Sequence, residues 1–245
     1  MKISKDTFTL ALKAVQAITL ESPLYITPDG LTMRAVDPAN VAMVDVFIQS
    51  GYAFQEGIDY VGTVGISIST MIDRLKAIKG DIDIVFQKEQ NIISIKSDEK
   101  QKIEYTTQYI LPQFLKETKI PELKFTASLT LPGQELRDAV AACSTISQFL
   151  YFIADPSDNT LKVSTKADIE SYKQTFSNTY TCAVEGEEPV ESAYSLDYLN
   201  LMLKQTGNVD ITIRFSKDYP LEITGLLNSD ILAKYVLAPR IINED

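Results

Sequence analysis

The feature that most constrains this chain is a schedule of elements that occurs twice. Four segments place apolar residues three and four apart, the spacing of one helix face. They are 5–20 (Phe8, Ala11, Leu12, Val15, Ile18) and 69–79 (Met71, Ile72, Leu75, Ile78, led in by Ile68). The other two are 133–145 (Leu136, Ala139, Val140, Cys143) and 195–206 (Leu196, Leu199, Met202, Leu203). The first and third lie about 126 residues apart, as do the second and fourth, which is the mark of an internal repeat. Asp6, Ser69 and Ser195 are the expected N-caps, since a short side-chain oxygen can accept from the first helical N–H groups.

Short runs of β-formers fill the intervals: 24–27, 31–35, 42–48, 82–86, 92–95 and 103–109, then 150–154, 161–164, 172–182, 209–215, 221–225 and 233–237. Pro28-Asp29-Gly30, Lys79-Gly80-Asp81, Asp155-Pro156-Ser157-Asp158-Asn159 and Thr206-Gly207-Asn208 separate many of them as turns. The strands keep the offset of the helices: 83–86 answers 210–215, 91–96 answers 220–225, and 102–109 answers 231–237. The two halves share order rather than residue identity. The schedule predicts an α+β protein of two similar domains, 1–110 and 123–245, with a connector over 111–122. Pro112 and Pro121 bound the connector, and its apolar Phe114 and Leu115 leave room for a short helix.

Two expected edges stand out. Ile103, Tyr105, Thr107 and Tyr109 alternate with polar residues at the end of the first half, and Tyr172, Phe176 and Tyr180 belong to a similar run in the second. A long open edge invites aggregation. Pairing one subunit's edge with the next subunit's resolves that, and a heterologous contact of this kind closes into a ring where the rotation permits. These seven residues are the candidate subunit interface.

No histidine occurs in the 245 residues, which removes Ser-His-Asp and Cys-His catalysis and His-ligated zinc. Phosphate-cradling glycine loops, a nucleophile elbow and an EF-hand loop are also lacking. The expectation is no catalytic residue, no metal site and no cofactor. Asp81 and Asp83 are read as a solvated turn, the acids Glu185, Glu187, Glu188 and Glu191 as an exposed loop, and Asn243-Glu244-Asp245 as an acidic tail. Cys143 and Cys182 form no framework; they are read as small buried hydrophobes in a reducing, intracellular setting. Neither a signal peptide nor an apolar run long enough to span a bilayer is evident, so no membrane partner is expected.

Charge gives a weaker lead. With 33 acidic and 23 basic residues the net charge is −10, which argues against an open face for nucleic acid. The helical segments differ from the rest. Lys5, Lys13, Arg74, Lys76, Lys79, Arg137 and Lys204 stand there against Asp6, Asp73, Glu135, Asp138 and Asp197, a balance of +2. That asymmetry matters only if the helices face one way.

Several stretches are recognisable. Gly30-Leu31-Thr32-Met33-Arg34-Ala35-Val36-Asp37-Pro38-Ala39-Asn40-Val41-Ala42-Met43-Val44 closely resembles a segment of DNA sliding clamps of the proliferating-cell-nuclear-antigen type, particularly archaeal ones. Gly65-Ile66-Ser67-Ile68-Ser69-Thr70-Met71 with Arg74-Leu75-Lys76, Ile120-Pro121-Glu122, Tyr194-Ser195-Leu196-Asp197-Tyr198-Leu199-Asn200 and Leu237-Ala238-Pro239-Arg240-Ile241 are similar to later segments of the same family. The matches run in order from 30 to 241, and the family carries two such domains per subunit.

The resemblance implies a processivity factor for DNA replication and repair. Three subunits would close a ring around double-stranded DNA without reading its sequence, with sheets outside and helices lining the hole. The seven helix cations would face the phosphate backbone, and the acidic remainder would form the outer wall. It also implies that DNA polymerase, flap nuclease, ligase and clamp loader dock a short peptide in an apolar pocket. Carried over by motif, that pocket comprises Val36, Asn40, Val41 and Met43, with Ile120, Pro121 and Phe125 from the connector side, Pro220 from a late loop, and Val236, Leu237, Ala238 and Pro239 from the tail. The expected location is intracellular, with the chromosomal DNA. Homotrimer against heterotrimer, and replication clamp against a clamp-like adaptor, stay open at this level.

Overall fold

The computed structural model describes residues 1–241, apart from 52, 53, 55–57, 59, 98–101, 158–159 and 177–180. The chain divides into two units, Met1–Lys119 with Leu227–Ala233, and Ile120–Leu226 with Lys234–Asp245.

Unit 1 runs β1 (Lys2–Ser4), α1 (Lys5–Gln16), β2 (Glu21–Thr27), β3 (Gly30–Val36), β4 (Ala42–Gln49), β5 (Gly62–Ser67), α2 (Ile68–Leu75), β6 (Asp81–Gln87), β7 (Ile92–Ser97) and β8 (Glu104–Gln108). The strands form two antiparallel sheets, ordered β4-β3-β2-β5 and β1-β6-β7-β8. Unit 2 runs β9 (Ala127–Pro132), α3 (Gly133–Cys143), β10 (Phe149–Asp155), β11 (Thr160–Lys166), β12 (Ser171–Phe176), β13 (Thr181–Val184), β14 (Val190–Ser195), α4 (Leu196–Thr206), β15 (Asp210–Phe215), β16 (Leu221–Asn228) and β17 (Ile231–Leu237), except that the end of β16 and the start of β17, Leu227–Ala233, belong to unit 1. Its sheets are β12-β11-β10-β14 and β13-β9-β15-β16, the latter continued by β17.

The expected repeat is therefore present as topology. β1·β6 corresponds to β9·β15, β2·β5 to β10·β14, and the meander β2-β3-β4 to β10-β11-β12. Even the short pairing of β13 on β9 has a counterpart, an isolated bridge from Phe54 to Ile3. After β8, Ile110 bridges Gly65 of β5; after β17, Arg240 bridges Ala193 of β14. The connector is thus the tail of the first repeat.

Each helix buries the stripe read from its spacing. Phe8, Ala11, Leu12, Ala14 and Val15 of α1 are closed from solvent, as are Leu136, Ala139, Val140 and Cys143 of α3. In unit 2, Phe152 meets Tyr194 and Phe215 edge-on, at 5.5 and 5.9 Å between ring centroids, the geometry that aromatic quadrupoles favour. Gly133 opens α3 where a Cβ would lie 2.3 Å from the Thr206 carbonyl oxygen at the end of α4, so the helix pair closes there only on glycine.

Several expectations are corrected. Ser4 and Ser67, not Asp6 and Ser69, cap α1 and α2, accepting from the Thr7 and Thr70 N–H groups. Ser195 holds the N-cap position of α4 but makes no side-chain cap bond. The run 172–182 is two strands in different sheets, β12 and β13. Asp81 and Asp83 lie in β6 rather than in a turn. The strands β1, β5, β9 and β14 had no run assigned to them. In the connector, Pro112–Phe114 forms one short 3-10 turn. The acidic residues 243–245 and part of the turn at 155–159 lie outside the described residues.

Candidate functional site

Five of the seven cations lie on helices, away from the buried stripes: Lys5 and Lys13 on α1, Arg74 on α2, Arg137 on α3 and Lys204 on α4. The helix α2 ends at Leu75, short of the expected 79, so Lys76 is its C-cap residue and Lys79 lies in the loop beyond. In unit 1, Lys5 pairs with its neighbour Asp6 at 3.1 Å, and Lys76 with Asp73 at 2.7 Å. The Lys76 ammonium holds the Asp73 carboxyl below its usual range, chiefly by hydrogen bonding. The Arg74 guanidinium stands over the Tyr105 ring of β8, 5.6 Å from its centroid. Lys13 and Lys79 are exposed. In unit 2, Arg137 is half-buried and donates to Gln134, whose amide donates to Asp138. Lys204 is exposed on α4. Lys13, Lys79 and Lys204 thus present their charge outward, whereas Arg137 is tied to its own helix.

The pocket residues of unit 1 gather at one end of β3 and β4. Val36 faces Met43 across the strand pair, and the loop between them is held by Asp37. The buried Asp37 carboxylate accepts from the N–H groups of Ala39 (3.1 Å), Val41 and Ala42 (both 2.7 Å). That turn places Asn40 in the left-handed region (φ 56°), which asparagine tolerates. Lys116 of the connector donates to the Asn40 side chain. Val36 and Ala35 also line a groove of about 230 Å³ with Phe114, Leu115 and Thr118, and Phe114 is exposed. Met43, the strand partner of Val36, is 5% exposed and belongs to the core.

In unit 2, Ile120 and Pro121 are exposed, ahead of a half-buried Phe125. The Phe125 ring lies edge-on to Tyr219, 6.1 Å between centroids, and face-on to the Arg214 guanidinium at 5.3 Å. Tyr194 is buried, which pushes its hydroxyl pKa far up, and it donates to the Tyr219 carbonyl at 2.7 Å, fixing the turn that leads to Pro220. Val236 and Leu237 end β17; Leu237 is fully buried, so it backs the surface rather than lining it. Ala238 and Pro239 are half-buried beyond the strand.

The two expected edges are edges in the structure. β8 ends the sheet β1-β6-β7-β8, and β12 ends β12-β11-β10-β14. Tyr105 and Thr107 lie in β8, flanked by Ile103 and Tyr109 just outside it. Tyr172 lies in β12 and donates to Gln174 at 2.5 Å; its partial burial raises its pKa. Phe176 is 2% exposed and is core, not interface; it shares a face of β12 with Tyr172 and Gln174, which are only half-buried. Tyr180 lies outside the described residues.

Asp37, Arg214, Tyr219 and Glu222 had no role assigned from the sequence. Asp37 carried a readable signal, an acidic residue opening an Asp-Pro-x-Asn turn between two β runs. The other three depend on strand register, which no local pattern states.

The family model for the C-terminal domain of proliferating cell nuclear antigen matches residues 119–240. The chain is 31% identical over 249 aligned residues to the DNA polymerase sliding clamp of Methanothrix thermoacetophila, covering 99% of this chain and 98% of that one. It is 30% identical to the clamp of Methanocella arvoryzae, at 99% and 98% coverage. Among solved structures it is similar to A. fulgidus PCNA bound to the C-terminal region of FEN-1, with a TM-score of 0.87, 28% identity, and 99% and 98% of the two chains covered. PCNA from Thermococcus kodakaraensis shares the fold, at a TM-score of 0.86 and 19% identity over 98% of this chain and 99% of that one.

Proposed function

The chain belongs to the proliferating cell nuclear antigen family of DNA polymerase sliding clamps, and on that premise we propose how its surfaces divide the work. It is a binding protein rather than an enzyme, a processivity factor that encircles duplex DNA and tethers replication and repair proteins. The assembly proposed is a homotrimer acting on chromosomal DNA inside the cell.

The observation that carries the assembly is the pair of open edges, taken with the internal repeat. Within unit 1, Gln49 at the end of β4 donates to the carbonyl of Asp230 at the entry to β17 (2.8 Å). In the repeat, β12 corresponds to β4 and β8 to β17. The same juxtaposition between copies sets β12 of one subunit along β8 of the next. Such a contact is heterologous, so three copies closed into a ring leave neither β8 nor β12 open. Tyr105, Thr107 and Tyr172 flank that seam.

Lys13, Lys79 and Lys204 then serve as the main contacts to phosphate, with Lys5, Arg74 and Lys76 partly engaged by protein neighbours and Arg137 the weakest. Few contacts per unit suit a protein that must slide, since each phosphate neutralised adds to a sequence-independent grip. A partner peptide is proposed to use Val36, Asn40 and Val41 on unit 1, and Ile120, Pro121, Phe125, Pro220, Ala238 and Pro239 on unit 2. An apolar anchor on such residues buries area while extended backbone adds hydrogen bonds.

Mass measurement at micromolar concentration, followed by primer extension on primed circular DNA with polymerase and clamp loader, tests the reading. A trimer that lengthens the products is expected. A strict monomer contradicts the ring, and a trimer that binds partners without lengthening products points to an adaptor instead.

A further inference from the structure

We propose that Arg214 is a positioning residue for the partner-peptide surface, acting through the ring of Phe125; this rests on the reading of Phe125 as part of that surface. Arg214 lies on β15 with its side chain on the face opposite the core, since its neighbours Ile213 and Phe215 are both buried. Directly across the strand pair stands Glu222, the residue in register with it on β16. Arg214 Nε donates to Glu222 Oε1 at 3.0 Å, and Nη2 donates to the same oxygen. Lys234 Nζ reaches the other carboxylate oxygen, at 3.6 Å. Thr224 adds a hydroxyl contact at 3.4 Å. The Glu222 side chain is 6% exposed.

A carboxylate this buried persists only with charge partners, and here it has two. The consequence for Arg214 is geometric. Its planar fork is fixed at one end by Glu222, so the guanidinium carbon is held over the Phe125 ring, 5.3 Å from its centroid, rather than wandering in solvent. Phe125 is pinned on a second side by the edge of Tyr219, whose carbonyl is anchored by Tyr194. The ring precedes β9 and has no strand pairing of its own to orient it. Without the cation, its one aromatic neighbour among the described residues is Tyr219, and the ring can swing. A peptide anchor that packs on Phe125 then has to order it on binding, and pre-ordering a contact surface raises affinity by removing that cost.

The probe is a synthetic peptide of the C-terminal region of A. fulgidus FEN-1, the ligand named for the solved relative, titrated against the full-length protein. Arg214→Met keeps the stem and removes the charge. The expected result is about tenfold weaker binding, the size of one partly wet cation–π contact, with subunit mass unchanged. Arg214→Lys should recover part of the loss, because it restores a cation without the fork. In a Phe125→Leu background, Arg214→Met should cause no further loss. Should Arg214→Met fail to fold, Glu222→Gln carries the test, with a smaller loss expected as the fork loses its anchor. Equal affinity of Arg214→Met and wild type overturns the proposal. So does an equal loss with and without the Phe125 ring, which would make Arg214 a direct contact. No binding by the wild type overturns the pocket reading itself and is distinguishable from either.

Discussion

Cys143 shows how a single residue reports the packing of its unit. It is fully enclosed on α3, and burial pushes its thiol up to about 11 from an ordinary 9.0. The neutral thiol is therefore favoured in the folded state. Its contribution to stability is complete below about pH 9 and is lost as pH rises through about 11, because only the unfolded chain ionises easily in that window. Denaturant midpoints measured from pH 8 to 11 should fall, and Cys143→Ala should flatten part of the fall. At pH 7.5 the native protein should leave this thiol unmodified by an alkylating reagent on the timescale that labels an unfolded chain; rapid native labelling would contradict the burial. On the DNA side, Lys79→Ala with Lys204→Ala should reduce the slope of log affinity against log salt by roughly one for each phosphate no longer neutralised. An unchanged slope would remove both from the proposed lining. Sequence reading located these cations because charge and helical period are local. It misplaced two N-caps because a strand runs without a gap into α1 and into α2, so the residue before the helix is also the last of a strand. It placed Phe176 at an edge because β-formers look alike whether they face a core or a partner, and Leu237 entered the pocket by resemblance, which carries over position and not orientation.

At the scale of elements, the proposed assembly rests on the open edges β12 and β8. Successive residues in a strand send their N–H groups to opposite sides. Of Lys173→Pro and Gln174→Pro, one therefore breaks the β11–β12 ladder and the other only the open edge. The variant that keeps wild-type thermal stability should run as a monomer, at a loss of one seam per subunit. If that variant still assembles as a trimer, β12 is not the seam. Strong apolar strands such as β4 and β10 were legible from composition. The strands β1, β5, β9 and β14 were not, and the reason is their content. β5 reads Gly-Thr-Val-Gly-Ile-Ser, its β-formers interrupted by two glycines, and β14 reads Val-Glu-Ser-Ala-Tyr-Ser, with Val190 and Tyr194 as its β-formers; both are held in place by pairing with β2 and β10 more than by propensity. Their existence follows from the repeat, since each leads directly into the second helix of its unit.

For the whole molecule, the duplicated order of elements was the most legible property, because it needs only spacing. The pairing of Ile110 with Gly65 and of Arg240 with Ala193 extends the duplication to the connector and the tail, where the two halves share no pattern of residues. Net charge was the least informative property: −10 is a sum over the whole chain and says nothing of where the cations of the helices and of the loop after α2 stand. Retention is topological: the protein stays on DNA by enclosing it. The direct measurement is retention on a closed circular duplex after loading with clamp loader and ATP, followed by linearisation at constant high salt. Retention on the circle and loss within the time needed to slide off the cut ends is the predicted result. Equal release from circle and line, set by salt alone, would show phosphate contact without enclosure and would contradict the account.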